Sequence, residues 1–325
     1  MRNKASRATM IRLLQNARYE VLPTASVEDT LLEHVPRDRL LTVTASPSKG
    51  LAPTIELAER LAGHGYVVVP HLAARMVTGR GELTEIVDRL TGKGIRRVFV
   101  PGGDADPAGD YPDALSLLTD LTALGSPFEQ VGITGYPESH PTIADDLTIQ
   151  AMWDKRHHAT HVVSNLTFDP DAVSGWVRRM RTRGITMPLL LGVPGPVERA
   201  KLLAMATRIG VGDSTRFLVK HKGTFARLAA PGGFTGQRFL EQCAPALGEP
   251  GALVEGLHVF TFNQVAETEA WRLAQLEKAV APDSGPGGGS VLGFSSPDVG
   301  CCPGECGDGR RCAGSEPHEG SLRRR

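Results

Sequence analysis

A carboxylate set inside an apolar run is the first residue of this chain that could do chemistry. Glu20 lies in Tyr19-Glu20-Val21-Leu22-Pro23, where the neighbours predict a buried strand. A buried carboxyl is costly unless it is paired or keeps its proton. A carboxyl protonated at neutral pH is a general acid, and the alternative is an ion-paired carboxylate at a sheet rim. His71 follows Pro70 at the end of another run and could serve a cofactor or hydrogen-bond core backbone. Asp104 follows Gly102-Gly103, as a ligand or as a turn aspartate capping the next helix. Val43-Thr44, Gly135-Tyr136 with His140, Ser164-Asn165, Gly192-Val193 and Phe262-Asn263 end further runs. If all these ends share one face, a carboxylate, an imidazole, a second carboxylate and a tyrosine converge there.

The elements that must position them are legible as a repeat. Between Tyr19 and Glu277 eight short apolar stretches end in polar or glycine residues, and most lead into segments of helical period. Leu83, Ile86, Val87 and Leu90 fall at i, i+3, i+4 and i+7, as do Val173, Trp176, Val177 and Met180. Glycines after the helices (Gly63 and Gly65, Gly94, Gly125, Gly184) fit left-handed C-caps. Tyr66 to Val69, Arg97 to Val100, Leu189 to Leu191 and Val259 to Phe262 read as strands covered on both faces. The expectation is an α/β protein, a (β/α)₈ barrel, in which chemistry sits where strands end and βα loops begin. Residues 1–17 read as an N-terminal extension, 18–280 as the barrel and 281–325 as a disordered tail, with two helices between Gly210 and Gly256.

Composition narrows the partners. Lys and Arg number 36 and Asp and Glu 36 in 325 residues, so no bulk field favours nucleic acid or an anionic membrane. A small-molecule substrate is expected, in a cytoplasmic protein with reduced thiols. The run Pro282 to Gly289 opens a Gly-, Pro- and Ser-rich tail holding Cys301, Cys302, Cys306 and Cys312, whose spacing matches no paired zinc knuckle. Cys243 reads as a small core residue. His157, His158 and His161 straddle a helix end and a strand start, so they read as solvated histidines with no metal. Neither a G-x-G-x-x-G after a strand nor a phosphate-cradling G-x-x-x-x-G-K-[ST] occurs.

Read in order, Tyr19-Glu20-Val21-Leu22-Pro23, Thr42-Val43-Thr44, Pro70-His71-Leu72, Gly94-Ile95-Arg96 with Gly103-Asp104, Gly135-Tyr136-Pro137-Glu138-Ser139-His140-Pro141, Phe168-Asp169 and His258-Val259-Phe260-Thr261-Phe262-Asn263 resemble the methylenetetrahydrofolate reductase family. That family carries F-E-F-F-P-P, S-V-T, P-H-L-T, G-I-R then R-G-D, Y-P-E-x-H-P, Q-F-F-F-D and H-F-Y-T-L-N-R. The resemblance spans about residues 18 to 275. It implies reduction of 5,10-methylenetetrahydrofolate to 5-methyltetrahydrofolate with electrons from NADH or NADPH, for methionine synthesis. It also implies Glu20 as the catalytic acid, and Asp104, Asn165 and Gln264 as substrate contacts. Thr44, His71, Gly103, Asp104, Tyr136 and His140 match residues that line FAD, and family members are often homo-oligomers.

The departures fall on the flavin side. Gly102 replaces the arginine of R-G-D, Ala45 and Ser46 an aromatic-glycine pair, Leu166-Thr167 two aromatics and Gln264 the last arginine of the closing motif. The expectation is a divergent branch that holds FAD weakly or passes hydride directly from the nicotinamide to the folate. Two other readings compete. A barrel lyase or aldolase would want a strand-end lysine, and Lys49 and Lys155 fall in a loop and a helix. A catalytically silent folate-binding barrel would not need Glu20.

Overall fold

The computed structural model describes residues 4–140, 142–197 and 236–280. Eight parallel strands form one sheet: β1 (Arg18–Val21), β2 (Leu41–Val43), β3 (Val68–Pro70), β4 (Arg97–Phe99), β5 (Gln130–Gly135), β6 (His161–Ser164), β7 (Leu189–Pro194) and β8 (Val254–Phe260), in the order β3-β2-β1-β8-β7-β6-β5-β4. The two ends meet. His71 forms a parallel bridge with Phe99, and the Leu72 N–H donates to the Phe99 carbonyl at 2.8 Å. The sheet therefore closes into the expected (β/α)₈ barrel, with its seam at one of the expected site residues. β8 begins at Val254, earlier than the apolar run suggests, and its pairing with β7 shifts register between Leu189 and Leu190.

The helices follow the strands in turn: α2 (Val27–His34), α3 (Ala52–Gly63), α4 (Arg80–Gly92), α5 (Ala114–Ala123), α6 (Asp145–Lys155), α7 (Pro170–Thr182), α8 (Gly236–Leu247) and α9 (Val265–Val280). Each buries one stripe. In α7 this stripe is Val173, Trp176, Val177 and Met180, and Asp169 caps its N-terminus by accepting from the Asp171 and Ala172 N–H groups. Of the glycine pair after α3, Gly65 takes the left-handed conformation at φ 86°, whereas Gly63 is the last helical residue. The α8 helix buries Cys243 in the core as expected. The other helix expected in the Gly210 to Gly256 stretch, and the tail with its cysteines, lie outside the described residues.

Residues before β1 do more than extend the chain. They form α1 (Lys4–Gln15), which buries Met10, Leu13 and Leu14. The Asn16 amide donates to the Glu255 carbonyl at 3.0 Å, and Arg12 donates to the Val254 carbonyl. Both contacts are at the start of β8, the end of the barrel away from the βα loops. Among the described residues no helix is long and apolar enough to cross a membrane.

Parallel strands in a closed barrel approach so closely that some positions have no room for a side chain. A Cβ on Gly192 would lie 2.3 Å from the Ser164 carbonyl oxygen and 2.6 Å from that of Asn165. Both are backbone atoms of the neighbouring strand end and cannot rotate away. Gly192→Ala should therefore cost roughly 1–3 kcal/mol, read as a lower urea midpoint at unchanged slope.

Candidate active site

In β1 the side chains alternate. Tyr19 points out to α9, where its hydroxyl bonds the buried Glu269–Arg272 pair, and so Arg18 and Glu20 point to the barrel axis. Glu20 keeps 14% of its side chain exposed. His258 Nε2 from β8 stands 3.0 Å from Glu20 Oε2, and His71 Nε2 stands 3.5 Å from the same oxygen. The walls are apolar: the His71 ring lies 4.7 Å from Phe99, and the His258 ring 4.9 Å from Phe260. Val69, Phe99, Val163 and Leu190 cluster inside the barrel.

The environment sets the charge state. Burial pushes the Glu20 carboxyl above its ordinary range, opposed by His71. Burial lowers His71 to about 4, and neighbouring charges add to or oppose this in smaller measure. Burial, with the Arg18 charge second, holds His258 well below an ordinary imidazole. Burial thus favours the neutral form of the acid and of both imidazoles. Among the described residues the groups that could pair with Glu20 are the imidazoles of His71 and His258, with no lysine or arginine beside it.

The backbone beneath the acid is tied to β8. The Thr261 hydroxyl donates to the Glu20 carbonyl at 2.6 Å. Asn263 clamps the next turn: its Oδ1 accepts from the Leu22 N–H at 2.8 Å, and its Nδ2 donates to the Leu22 carbonyl at 3.1 Å and the Thr24 hydroxyl at 2.9 Å. Asn263 sits at φ 62° and Phe262 at φ 51°, a conformation common for Asn and uncommon for an aromatic.

A second group gathers at the mouth. Asp104 is exposed in the loop after β4, and Gly103 takes φ 83° where a Cβ would touch that of Ala73 at 3.0 Å. Arg75 braces this loop, donating to the Ala105 carbonyl at 2.8 Å and that of Pro112 at 3.3 Å. The cap of α5 is Asp113, which accepts from the Ser116 N–H at 2.9 Å, so Asp104 is not the helix cap. Tyr136 is pushed up to about 12 by burial and then by the Asp104 charge. Its ring meets His140 edge-on at 4.8 Å. His140 Nδ1 accepts from the Thr142 and Ile143 N–H groups at 3.2 and 3.1 Å, which places that ring's proton on Nε2.

The remaining expected residues stand apart. Thr44 is half-buried between the ends of β1 and β2, where its N–H donates to the Val21 carbonyl at 2.9 Å. Asn165 is exposed and uses its Oδ1 to accept from the Leu166 N–H at 2.8 Å. Gln264 is half-buried in the turn into α9. His161 corrects the reading of solvated histidines. It is 7% exposed on the inner face of β6, with Arg18 Nη2 at 3.2 Å and the Thr160 hydroxyl at 2.9 Å. Its neighbour His157 does face solvent, and no group of metal-ligating side chains occurs among the described residues.

Sequence reasoning missed His258, Asn263 and Glu138 as contributors. The signal for His258 was its spacing from Phe260, which puts both on one strand face. Glu138 stood in the sequence only as part of its motif; its Oε1 accepts from the Asp169 N–H at 2.7 Å and from that of Phe168, locking the loop after β5 to the start of α7.

Buried neutral histidines leave a signature in stability. His71 and His161 titrate at about 4 and about 3 in the fold, against 6.5 when unfolded. Their contribution is whole above pH 6.5 and is lost as pH falls through the folded values. Glu20, shifted up, has the opposite sign. Melting temperature should fall as pH drops below about 6.5, less steeply in His71→Gln. At neutral pH Glu20→Gln should be at least as stable as the parent.

Two solved structures align with this chain at low identity. The spore cortex-lytic enzyme SleL of Bacillus megaterium QM B1551 matches at 10% identity over 80% of this chain and 73% of that one, with a TM-score of 0.46. The 2,3-dimethylmalate lyase, a member of the PEP mutase/isocitrate lyase superfamily, matches at 12% over 74% of this chain and 95% of that one, with a TM-score of 0.41. The sequence profile of methylenetetrahydrofolate reductase matches residues 40–270. The strand bearing Glu20 precedes that match but is paired on both sides within it, to β2 and β8. A match across β2 to α9 is most of the barrel, and the chain belongs to the methylenetetrahydrofolate reductase family.

Proposed function

We propose that the protein reduces 5,10-methylenetetrahydrofolate to 5-methyltetrahydrofolate with a hydride from NADH or NADPH. The observation that carries this reading is the buried carboxyl of Glu20, whose neutral form burial favours, held 3.0 Å from His258 in an apolar barrel interior. Glu20 gives its proton to N10 of the folate as the bond from N10 to the methylene carbon breaks. The methylene group remains on N5 as an iminium cation, the electrophile that the hydride needs. The dihydronicotinamide supplies the hydride and leaves oxidised, and the methylene carbon becomes the N5-methyl group. Glu20 then recovers a proton from water, so one proton and one hydride are consumed per turnover. Asp104, a carboxylate at the mouth, opposes the positive charge that develops on the pterin.

Among the described residues the βα loops carry two cations, Lys49 and Arg75, and Arg75 is engaged with the Ala105 and Pro112 carbonyls. Against them stand Asp104, Asp106 and Asp110 in the loop after β4. Charge-assisted donors hold a diphosphate most firmly, and the scarcity of free ones in these loops supports weak retention of FAD; the segment after β7 lies outside the described residues. In this reading hydride passes from nicotinamide to folate directly.

Anaerobic turnover with NADH and with NADPH, following 5-methyltetrahydrofolate in a preparation whose flavin absorbance is recorded, tests the reading. Product without flavin, and no gain on adding FAD, is expected; a requirement for FAD refutes direct transfer, and no product in any arm refutes the reductase. Glu20→Gln should lower kcat roughly 10²- to 10⁴-fold while substrate Kd stays near the parent value. In the parent, kcat/KM should decline as pH rises past the elevated titration of Glu20.

A further inference from the structure

The proton on Glu20 has two places to go, and water chemistry favours the wrong one. An ordinary imidazole is a stronger base than a carboxylate. At 3.0 Å the pair would normally be a carboxylate and an imidazolium, which leaves Glu20 without a proton to give. Two features of the barrel interior oppose this. His258 is 1% exposed, and its Nδ1 is fully buried with no hydrogen-bonding partner. An imidazolium, or a neutral ring protonated at Nδ1, would leave an N–H unpaired there, which is rarer and more costly than an unpaired lone pair. The ring's one proton belongs on Nε2, where Glu20 Oε2 accepts it.

The second feature is charge. Arg18 lies directly across the β1–β8 ladder from His258. It is 7% exposed, with Nη2 at 3.2 Å from His161 Nε2. Its field opposes a second cation on His258, His71 or His161. Two further charges act on Arg18: Arg97 of β4 adds positive charge near it, and the exposed Glu255 of β8 offsets part of it.

Resting on the reductase reading, we infer that His258 is a positioning residue for the acid: its Nε2–H donates to Glu20 Oε2, leaving the carboxylic proton on Oε1 for the substrate, while Arg18 bars the ring from taking that proton. The ring carries no proton to the folate and changes no oxidation state.

Two readouts test this on the full chain. In protein labelled with ¹⁵N at histidine, His258 should show one ring proton, on Nε2, from about pH 6 to 8, and its resonances should move in Glu20→Gln. A proton on Nδ1, or an imidazolium at neutral pH, overturns the inference whether or not the protein turns over. In turnover, His258→Gln keeps an N–H donor and should hold kcat within about threefold, whereas His258→Phe should lose at least about tenfold in kcat with substrate KM little changed. Equal losses in both variants overturn the positioning role. If the parent itself makes no 5-methyltetrahydrofolate the function reading fails, and the spectrum alone then decides the assignment of the His258 ring.

Discussion

The ladder between β1 and β8 fixes the acid and the imidazole beside it at the candidate site. Because side chains alternate along a strand, the pairing of Arg18 with His258 and of Glu20 with Phe260 turns Arg18, Glu20, His258 and Phe260 toward the axis together. A slip of one residue would turn Tyr19 and Val21 inward and put the carboxyl among the outer helices. Several contacts hold that register. Outside, Tyr19 bonds Glu269 and Arg272; above, Thr261 and Asn263 bind the backbone of Glu20 and Leu22; below, Asn16 reaches the start of β8. Each would be lost on a slip, so the acid's position is specified from three directions.

Burial then decides what the placed residues are. The same desolvation that raises Glu20 lowers His71 and His258, so the interior favours neutral forms of acid and base alike. In water the pair would exchange a proton and both would be charged. The cation that remains, Arg18, is one whose charge is hardest to remove, and it lies a layer deeper, where it acts on the imidazoles. A barrel interior that sets Arg18 beneath an acid whose neutral form burial favours is a different chemical object from the salt-bridged rim that an isolated carboxylate suggests.

The mouth is built on separate terms. Asp104 is carried by a loop whose shape depends on Arg75 and on the close contact of Gly103 with Ala73, and Tyr136 and His140 ride on a turn that Glu138 locks to α7. These parts hang on βα loops and can vary without disturbing the ladder below.

Much of this was legible in one dimension. Apolar runs, helical periods and glycine punctuation identify the barrel, because each element obeys a local rule, and the ordered motifs identify the family. Glu20 stands out because a carboxylate in such a run needs an explanation. The sequence could not say which residue supplies it: His258 lies 238 positions away, and its role follows from strand register and from an Nδ1 without a partner. It also left His161 among solvated neighbours, since one residue's difference in strand phase decides whether an imidazole faces water or the axis. Glu138 and Asn263, each part of a motif, prove to bond backbone across the fold. Local pattern determined which elements form and in what order; closure of the sheet alone decided which side chains meet, because those contacts join residues that share no local rule.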